Sequence, residues 1–161
     1  MTLRQDDIVY NSTPAVTVLM PAYNAAAYIG DAIRSVLEQT FTDFELLIVN
    51  DGSTDDTVKV INEFDDRRIV LVERANGGVS AALNTGLEHA RGKLIARFDA
   101  DDVCYPNRLA TQVAFLQGNP DHVLVGSEVD YITEQGTHMY HYRCFAYDDT
   151  EIRKKLFYYY T

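Results

Sequence analysis

Five short runs of apolar, largely β-branched residues recur along the chain at about one strand-plus-helix spacing, at 16–20, 44–49, 69–72, 94–98 and 123–125. Runs this continuous lack the alternation of a half-exposed strand. They are strands to be covered on both faces, which means a parallel sheet. The segments between them carry a helical period. Ile29, Ile33, Val36 and Leu37 share one face, and Val79, Ala82, Leu83, Gly86, Leu87 and Ala90 form a second stripe. A further helix is expected over 107–117, opened by Pro106 and closed by Gly118-Asn119-Pro120. Strand–helix alternation of this kind builds an open α/β sheet with right-handed crossovers. After Gly126 the pattern changes, and the Tyr-rich, loosely alternating residues 127–147 suggest short antiparallel strands. The organisation expected is an N-terminal extension over 1–14, an α/β domain over 15–126 and a distinct region over 127–161.

Composition narrows the partners. The 161 residues suffice for one domain that buries roughly 70% of its unfolded surface. With 11 Tyr and 7 Phe, the chain has the apolar content to fold. Its net charge of −10 would repel a phosphate backbone, so nucleic acid is a poor partner. An anionic substrate would need a local positive device such as a metal ion. The two cysteines, Cys104 and Cys144, are too few for a disulfide framework and fit a reducing compartment. No apolar run approaches the roughly 20 residues of a membrane span. Met1 to Tyr10 lacks a signal peptide's apolar stretch. A soluble, cytoplasmic domain is expected.

In an open α/β sheet ligands bind beyond the carboxyl ends of the strands, so the residues after each run deserve the closest reading. The first loop, Pro21-Ala22-Tyr23-Asn24, has no glycine, which excludes the dinucleotide fingerprint, and no Walker A sequence occurs anywhere. The second places Asp51 at a strand end. The following Ser53 and Asp56 have the spacing of a capping box. Asp51 would either accept a hydrogen bond from an N–H of a base or organise the turn. The third, Asn76-Gly77-Gly78, is either a plain turn or a place where backbone approaches a ligand. The fourth carries Asp99, Asp101 and Asp102. Three carboxylates this close repel one another unless something neutralises them. Mg²⁺ or Mn²⁺ would do so, because these hard ions take oxygen ligands and substrate phosphates. Asp99 and Asp101 would share a face in extended chain.

Taken in order, Val18 to Asn24, Val49 to Asp55, Asn76 to Gly86 and Phe98 to Asp102 resemble the family 2 glycosyltransferases, whose catalytic domain has the Rossmann-like GT-A fold. The resemblance covers about residues 15–126. It implies an enzyme that transfers a sugar from a nucleotide-diphosphate donor to an acceptor hydroxyl, with saccharide or lipid-linked acceptors. Carried over residue by residue, Pro21, Ala22 and Tyr23 would flank the base, which Asp51 would bond. Gly78 would lie against the donor, Asp99 would contact the ribose side, and Asp101 would hold the Mn²⁺ or Mg²⁺. Asp102 is the reserve for either of the last two roles. The donor base implied is uracil, the transfer inverting, and the setting cell-surface polysaccharide or glycoconjugate synthesis. An inverting transfer needs a general base. In the family that carboxylate lies in the acceptor-binding half, so it is expected beyond residue 161, with 127–161 the start of that half. Nothing in the spacing of Glu128, Asp130 or Glu134 supports them as the base.

Two rival classes are weaker. A haloacid-dehalogenase-type phosphatase would use Asp99 as nucleophile, but its motif opens the domain, whereas here four strand–helix segments precede it. A nucleotide-binding module without transfer chemistry is the other. His138 and His141, three apart, would face opposite sides of a strand and are read as surface histidines. Asn11-Ser12-Thr13 fits a glycosylation triplet without an export signal. Arg67-Arg68 and Arg153-Lys154-Lys155 are read as solvated runs, the second capable of a weak contact with an anionic membrane face.

Overall fold

The computed structural model describes residues 13–142 and Thr150. The basic run at 153–155, Cys144 and the triplet at 11–13 (apart from Thr13) lie outside them. Two compact units divide the chain, residues 1–113 and 114–161.

In the first unit the apolar runs pair as a four-stranded parallel sheet. Its strands are β1 (Val16–Ala22), β2 (Phe44–Asn50), β3 (Ile69–Glu73) and β4 (Leu94–Arg97), in the order β3-β2-β1-β4. Every residue of β2 is buried, and all of β1 but Pro21. Period-two geometry sends alternate side chains to opposite faces. Val16, Val18, Met20 and Ala22 of β1 join Leu46 and Ile48 in one core with Ile29, Ile33 and Val36 of helix α1 (Ile29–Leu37). Ile61 of the short helix α2 (Thr57–Ile61) packs there too. On the other face Leu19, Leu47 and Val49 meet Ala82 of helix α3 (Val79–His89). A Cβ at Gly86 would run into Leu19, so glycine is what lets α3 lie this close to β1. Helix α4 (Arg108–Gly118) spans the division between the units; its Leu109 and Val113 belong to the first core.

One charge breaks the apolar pattern of β2. Glu45 is buried directly opposite Thr17 in the ladder and accepts its hydroxyl at 2.6 Å. It also takes the Arg91 backbone N–H at 2.8 Å and the Arg91 guanidinium, while Gly92 N–H donates to Thr17 Oγ1 at 2.8 Å. A buried carboxylate is tolerated when its lone pairs are filled in this way. The knot fixes the turn between α3 and β4 at the amino ends of the strands.

The second unit contains an antiparallel pair, β5 (Val129–Ile132) and β6 (His138–Tyr142). The expected strand at 123–125 is absent: Val123 and Leu124 lie in irregular chain, 97% and 78% exposed. Strand propensity expresses a fit to neighbouring strands, and no ladder receives these residues. The histidines also differ from expectation. Ile132 pairs with His138 and Tyr131 with Tyr140, so Met139 is an extra residue in β6. This bulge resets the alternation and brings both histidines to the face of Asp130. His138 Nε2 lies 3.3 Å and His141 Nδ1 2.7 Å from Asp130 Oδ1, with His141 Nε2 2.8 Å from Glu128. The opposite face stacks Tyr131 on Tyr140 at 4.6 Å.

Replacing Glu45 by Ala strands the hydroxyl of Thr17 and the N–H of Arg91, which should cost about 1–3 kcal/mol. Urea unfolding followed by circular dichroism should show a lower midpoint at unchanged slope. An unchanged midpoint would mean that water replaces the carboxylate without penalty.

Candidate functional site

All four loops singled out in the sequence emerge at the carboxyl ends of β1 to β4, and hydrogen bonds stitch the first three together. Asn24 takes a positive φ of 49° at the end of the first. Its backbone N–H donates to Ser53 Oγ at 3.0 Å, and its side-chain oxygen accepts Thr54 N–H at 2.8 Å. Ala25 and Ala26 donate to Thr57 Oγ1 at 2.8 Å and Asp55 Oδ2 at 3.1 Å. Ser53 therefore does not cap α2. No side chain caps that helix from Asp56 or accepts at its N-cap, and the Ser53 hydroxyl is turned across to the first loop. Asp55 accepts Thr57 N–H at 3.0 Å instead.

Asp51 ties the second loop to the third. Its carboxylate is 3% exposed and accepts Gly77 N–H at 3.1 Å, Gly78 N–H at 2.7 Å and the guanidinium of Arg74. Burial pushes this carboxyl up, but the two backbone N–H groups and Arg74 outweigh it and hold it below the ordinary carboxylate value. Of the two roles open in the sequence, organising the turn is the one these contacts fill. Gly78 has φ +86° with open space where a Cβ would stand. What demands glycine there is the backbone conformation that aims its N–H at Asp51, not room for a neighbour.

The fourth loop is built differently. Phe98 N–H still bonds Leu19 O at 3.0 Å, its buried ring lies under Arg108, and Asp102 N–H closes a turn on Asp99 O at 3.2 Å. Arg97 and Asp99, two apart at the strand end, share a side, and Arg97 Nη2 donates to both Asp99 oxygens at 2.9 and 3.1 Å. Asp102 stays exposed, yet loss of surrounding water and then the charges of Asp101 and Asp99 raise its pKa.

These loops enclose a cleft of about 620 Å³, a size suited to a small ligand. It lies where the strand order reverses between β1 and β4, the topological switch point of such sheets. Pro21, Ala22, Tyr23, Asp51, Gly78, Asp99 and Asp101 all line it; Asp102 does not. Asn76 of the third loop also lines it, as do Tyr28 and Arg97, which were not singled out in the sequence. A signal for Arg97 was present: it is a cation within an apolar strand run, two residues before Asp99 and so on the same face. Arg74 was missed as well, because only the folded chain brings it to Asp51. A more open concavity of about 550 Å³, lined by Thr42 and residues 65–68, gathers none of the strand-end loops.

The donors suit a hard divalent cation. Asp99 and Asp101 offer only carboxylate oxygens, and Asp101 makes no ion pair among the described residues, whereas Asp51 and Asp99 are paired with Arg74 and Arg97. No three His, Cys, Asp or Glu side chains form a ready cage among the described residues.

Comparison with known proteins agrees with this arrangement. The profile described as Glycosyl transferase family 2 matches residues 17–160. An uncharacterized glycosyltransferase of Haemophilus influenzae is 38% identical over 125 residues, 76% of this chain and 39% of that protein. The chain spans less than half the length of the curated relatives with the strongest matches. Among solved structures, S. aureus TarS 1–349 in complex with UDP-GlcNAc aligns with a TM-score of 0.63 at 27% identity, over 65% of this chain and 32% of that one. The mannosyltransferase PcManGT of Pyrobaculum calidifontis, in complex with GDP-Man and Mn²⁺, gives 0.61 at 33%, over 65% and 33%. The sheet and its flanking helices are those of the GT-A glycosyltransferases.

Because the folded pKa of Asp51 is depressed, its contribution to stability is fully present above the unfolded value of about 3.9 and is lost as pH falls through the lower folded value. Asp51→Asn should therefore lower stability at pH 7 by about 1–3 kcal/mol. It should also flatten the loss of stability of the wild type below pH 4. Parallel acid-titration curves for the two proteins would show that the carboxylate does not carry the knot.

Proposed function

Since the chain belongs to glycosyl transferase family 2, we propose that it uses this cleft to bind a uridine diphosphate sugar with a divalent metal, for inverting transfer of the sugar to an acceptor hydroxyl. The observation that carries the reading is the convergence of the four loops on one cleft at the strand-order switch, with Asp101 at its edge making no ion pair among the described residues. The UDP-GlcNAc bound by TarS and the GDP-Man bound by PcManGT support a nucleotide-diphosphate sugar donor by similarity, and the first supports uridine.

Each pocket residue has a chemical task in this proposal. Tyr23, about half exposed at the cleft, would present its ring to the base, with Pro21 and Ala22 as the backbone floor. Asp51 would exchange one of its internal donors for the N–H of uracil. Asp99 would face the ribose side, Gly78 would border the donor, and Asp101 would hold Mn²⁺ or Mg²⁺, with Asp102 in reserve. The bound ion would supply positive charge that stabilises the diphosphate as a leaving group. A protein of net charge −10 needs such help for an anionic donor. Breaking of the bond between the anomeric carbon and the departing diphosphate would give the sugar oxocarbenium character, as in glycoside hydrolysis. The proposed setting is assembly of a cell-surface polysaccharide or glycoconjugate at the cytoplasmic face. Among the described residues no helix is long and apolar enough to cross a membrane.

Calorimetric titration of UDP into wild type and Asp101→Ala, each with Mn²⁺ and with a chelator, tests the metal. Tight binding is expected only for wild type with Mn²⁺; equal affinity in all four conditions sinks the proposal. The base is tested with CDP, which presents an acceptor where uracil presents N3–H. A buried carboxylate facing an acceptor should cost about 1–3 kcal/mol, and CDP binding as tightly as UDP would leave Asp51 a turn organiser alone.

A further inference from the structure

The cleft holds a cation of its own. Arg97 ends β4, lines the cleft and closes both oxygens of Asp99, at 2.9 and 3.1 Å from one guanidinium nitrogen. The two side chains meet because residues two apart on a strand point the same way. The backbone beneath them is anchored: Arg97 O accepts Arg108 Nη2 at 3.0 Å, Phe98 N–H bonds Leu19 O, and Asp102 N–H bonds Asp99 O. The side chains are not anchored in this way. Arg97 is 59% and Asp99 42% exposed, so the pair is solvated and weak. It contrasts with Arg74 and Asp51, where the carboxylate is buried and also holds two backbone N–H groups. One of the cleft's two arginine–carboxylate pairs is thus locked, and the other is free to open.

We propose that Arg97 is an exchangeable cation. Without ligand it occupies Asp99; a divalent cation held at Asp101 draws in Asp99, beyond its ribose-side role, as a second ligand, and the freed guanidinium turns to the oxygens of the nucleotide diphosphate. The inference rests on the donor site proposed above and names a positioning residue within it. Its physical basis is competition. A guanidinium and a metal ion compete for the same two carboxylate oxygens, each positive charge weakening the other's hold, and a planar N–H fork suits phosphate oxygens as well as it suits a carboxylate. Removing the arginine therefore acts with opposite sign on the two ligands: it releases Asp99 to the metal and removes a donor from the diphosphate.

The experiment compares wild type, Arg97→Gln, Asp99→Asn and the double variant. Mn²⁺ alone is titrated by electron paramagnetic resonance, and UDP is titrated by calorimetry at saturating Mn²⁺. Arg97→Gln is expected to bind Mn²⁺ alone about two- to fivefold more tightly than wild type, the range set by exposed ion pairs, and less so at high salt. The double variant should bind Mn²⁺ no better than Asp99→Asn, since the gain requires the carboxylate. With Mn²⁺ saturating, Arg97→Gln should bind UDP more weakly, about tenfold for a lost charged hydrogen bond. Mn²⁺ affinity that is unchanged or weaker in Arg97→Gln, or UDP affinity that is unchanged, overturns the inference. If wild type binds Mn²⁺ and UDP together and Arg97→Gln matches it, only this inference falls. If wild type binds neither, the donor site itself is wrong and the inference falls with it. Thermal unfolding of each variant confirms that the exposed substitution leaves the fold intact.

Discussion

The carboxylate of Asp51 is the tie on which the cleft depends. It stands at the end of a strand buried on both faces, so its position is set by the core rather than by its own loop. From there it gathers two successive backbone N–H groups and a guanidinium from the third loop. Its own N–H bonds Ala22 O at 2.8 Å, at the root of the first loop. Three loops that share no sequence neighbourhood are thereby referred to one rigid point. A charge this buried is affordable only because its acceptor capacity is filled, and that satisfaction is also what gives the cleft its shape before any ligand arrives.

Electrostatics divides the cleft's acidic groups by how they are neutralised. Asp51 is neutralised within the fold, by Arg74 and two backbone N–H groups. Asp99 is neutralised by an exposed arginine that water also competes for. Asp101 has no ion-pair partner among the described residues, and beside the cleft Asp102 has its proton affinity raised by loss of surrounding water and then by the charges of Asp101 and Asp99. The gradient from locked to open runs from the β2 end of the cleft towards β4. The same protein balances the buried Glu45 against Thr17 and Arg91 at the opposite ends of the strands. Full satisfaction makes a structural knot; incomplete satisfaction leaves a site.

Where the sequence misled, the reason is local ambiguity resolved at long range. Ser53 and Asp56 have capping-box spacing, but the hydroxyl is claimed by Asn24, 29 residues away. Residues 123–125 have strand composition without a strand to pair with. His138 and His141 alternate onto opposite faces only if β6 is regular, and the extra residue at Met139 removes that regularity. Arg74 and Arg97 carry no motif at all, since a lone arginine in sequence is a solvated charge until a carboxylate is folded against it.

The amino-acid sequence by itself determined the parallel α/β class, the approximate limits of four strands and the three longer helices, the four loops that would meet, and the family. All of these follow from periodicity and from short motifs whose spacing is read along the chain. Tertiary structure alone decided the strand order β3-β2-β1-β4, and with it the switch point that opens a cleft between β1 and β4. It also decided which carboxylates are paired and which are left open. Pairing depends on distances between residues 23 positions apart, as for Asp51 and Arg74, or on which face a strand end turns outward, as for Arg97 and Asp99. Such distances exist only once the core has closed and fixed the strand ends in place.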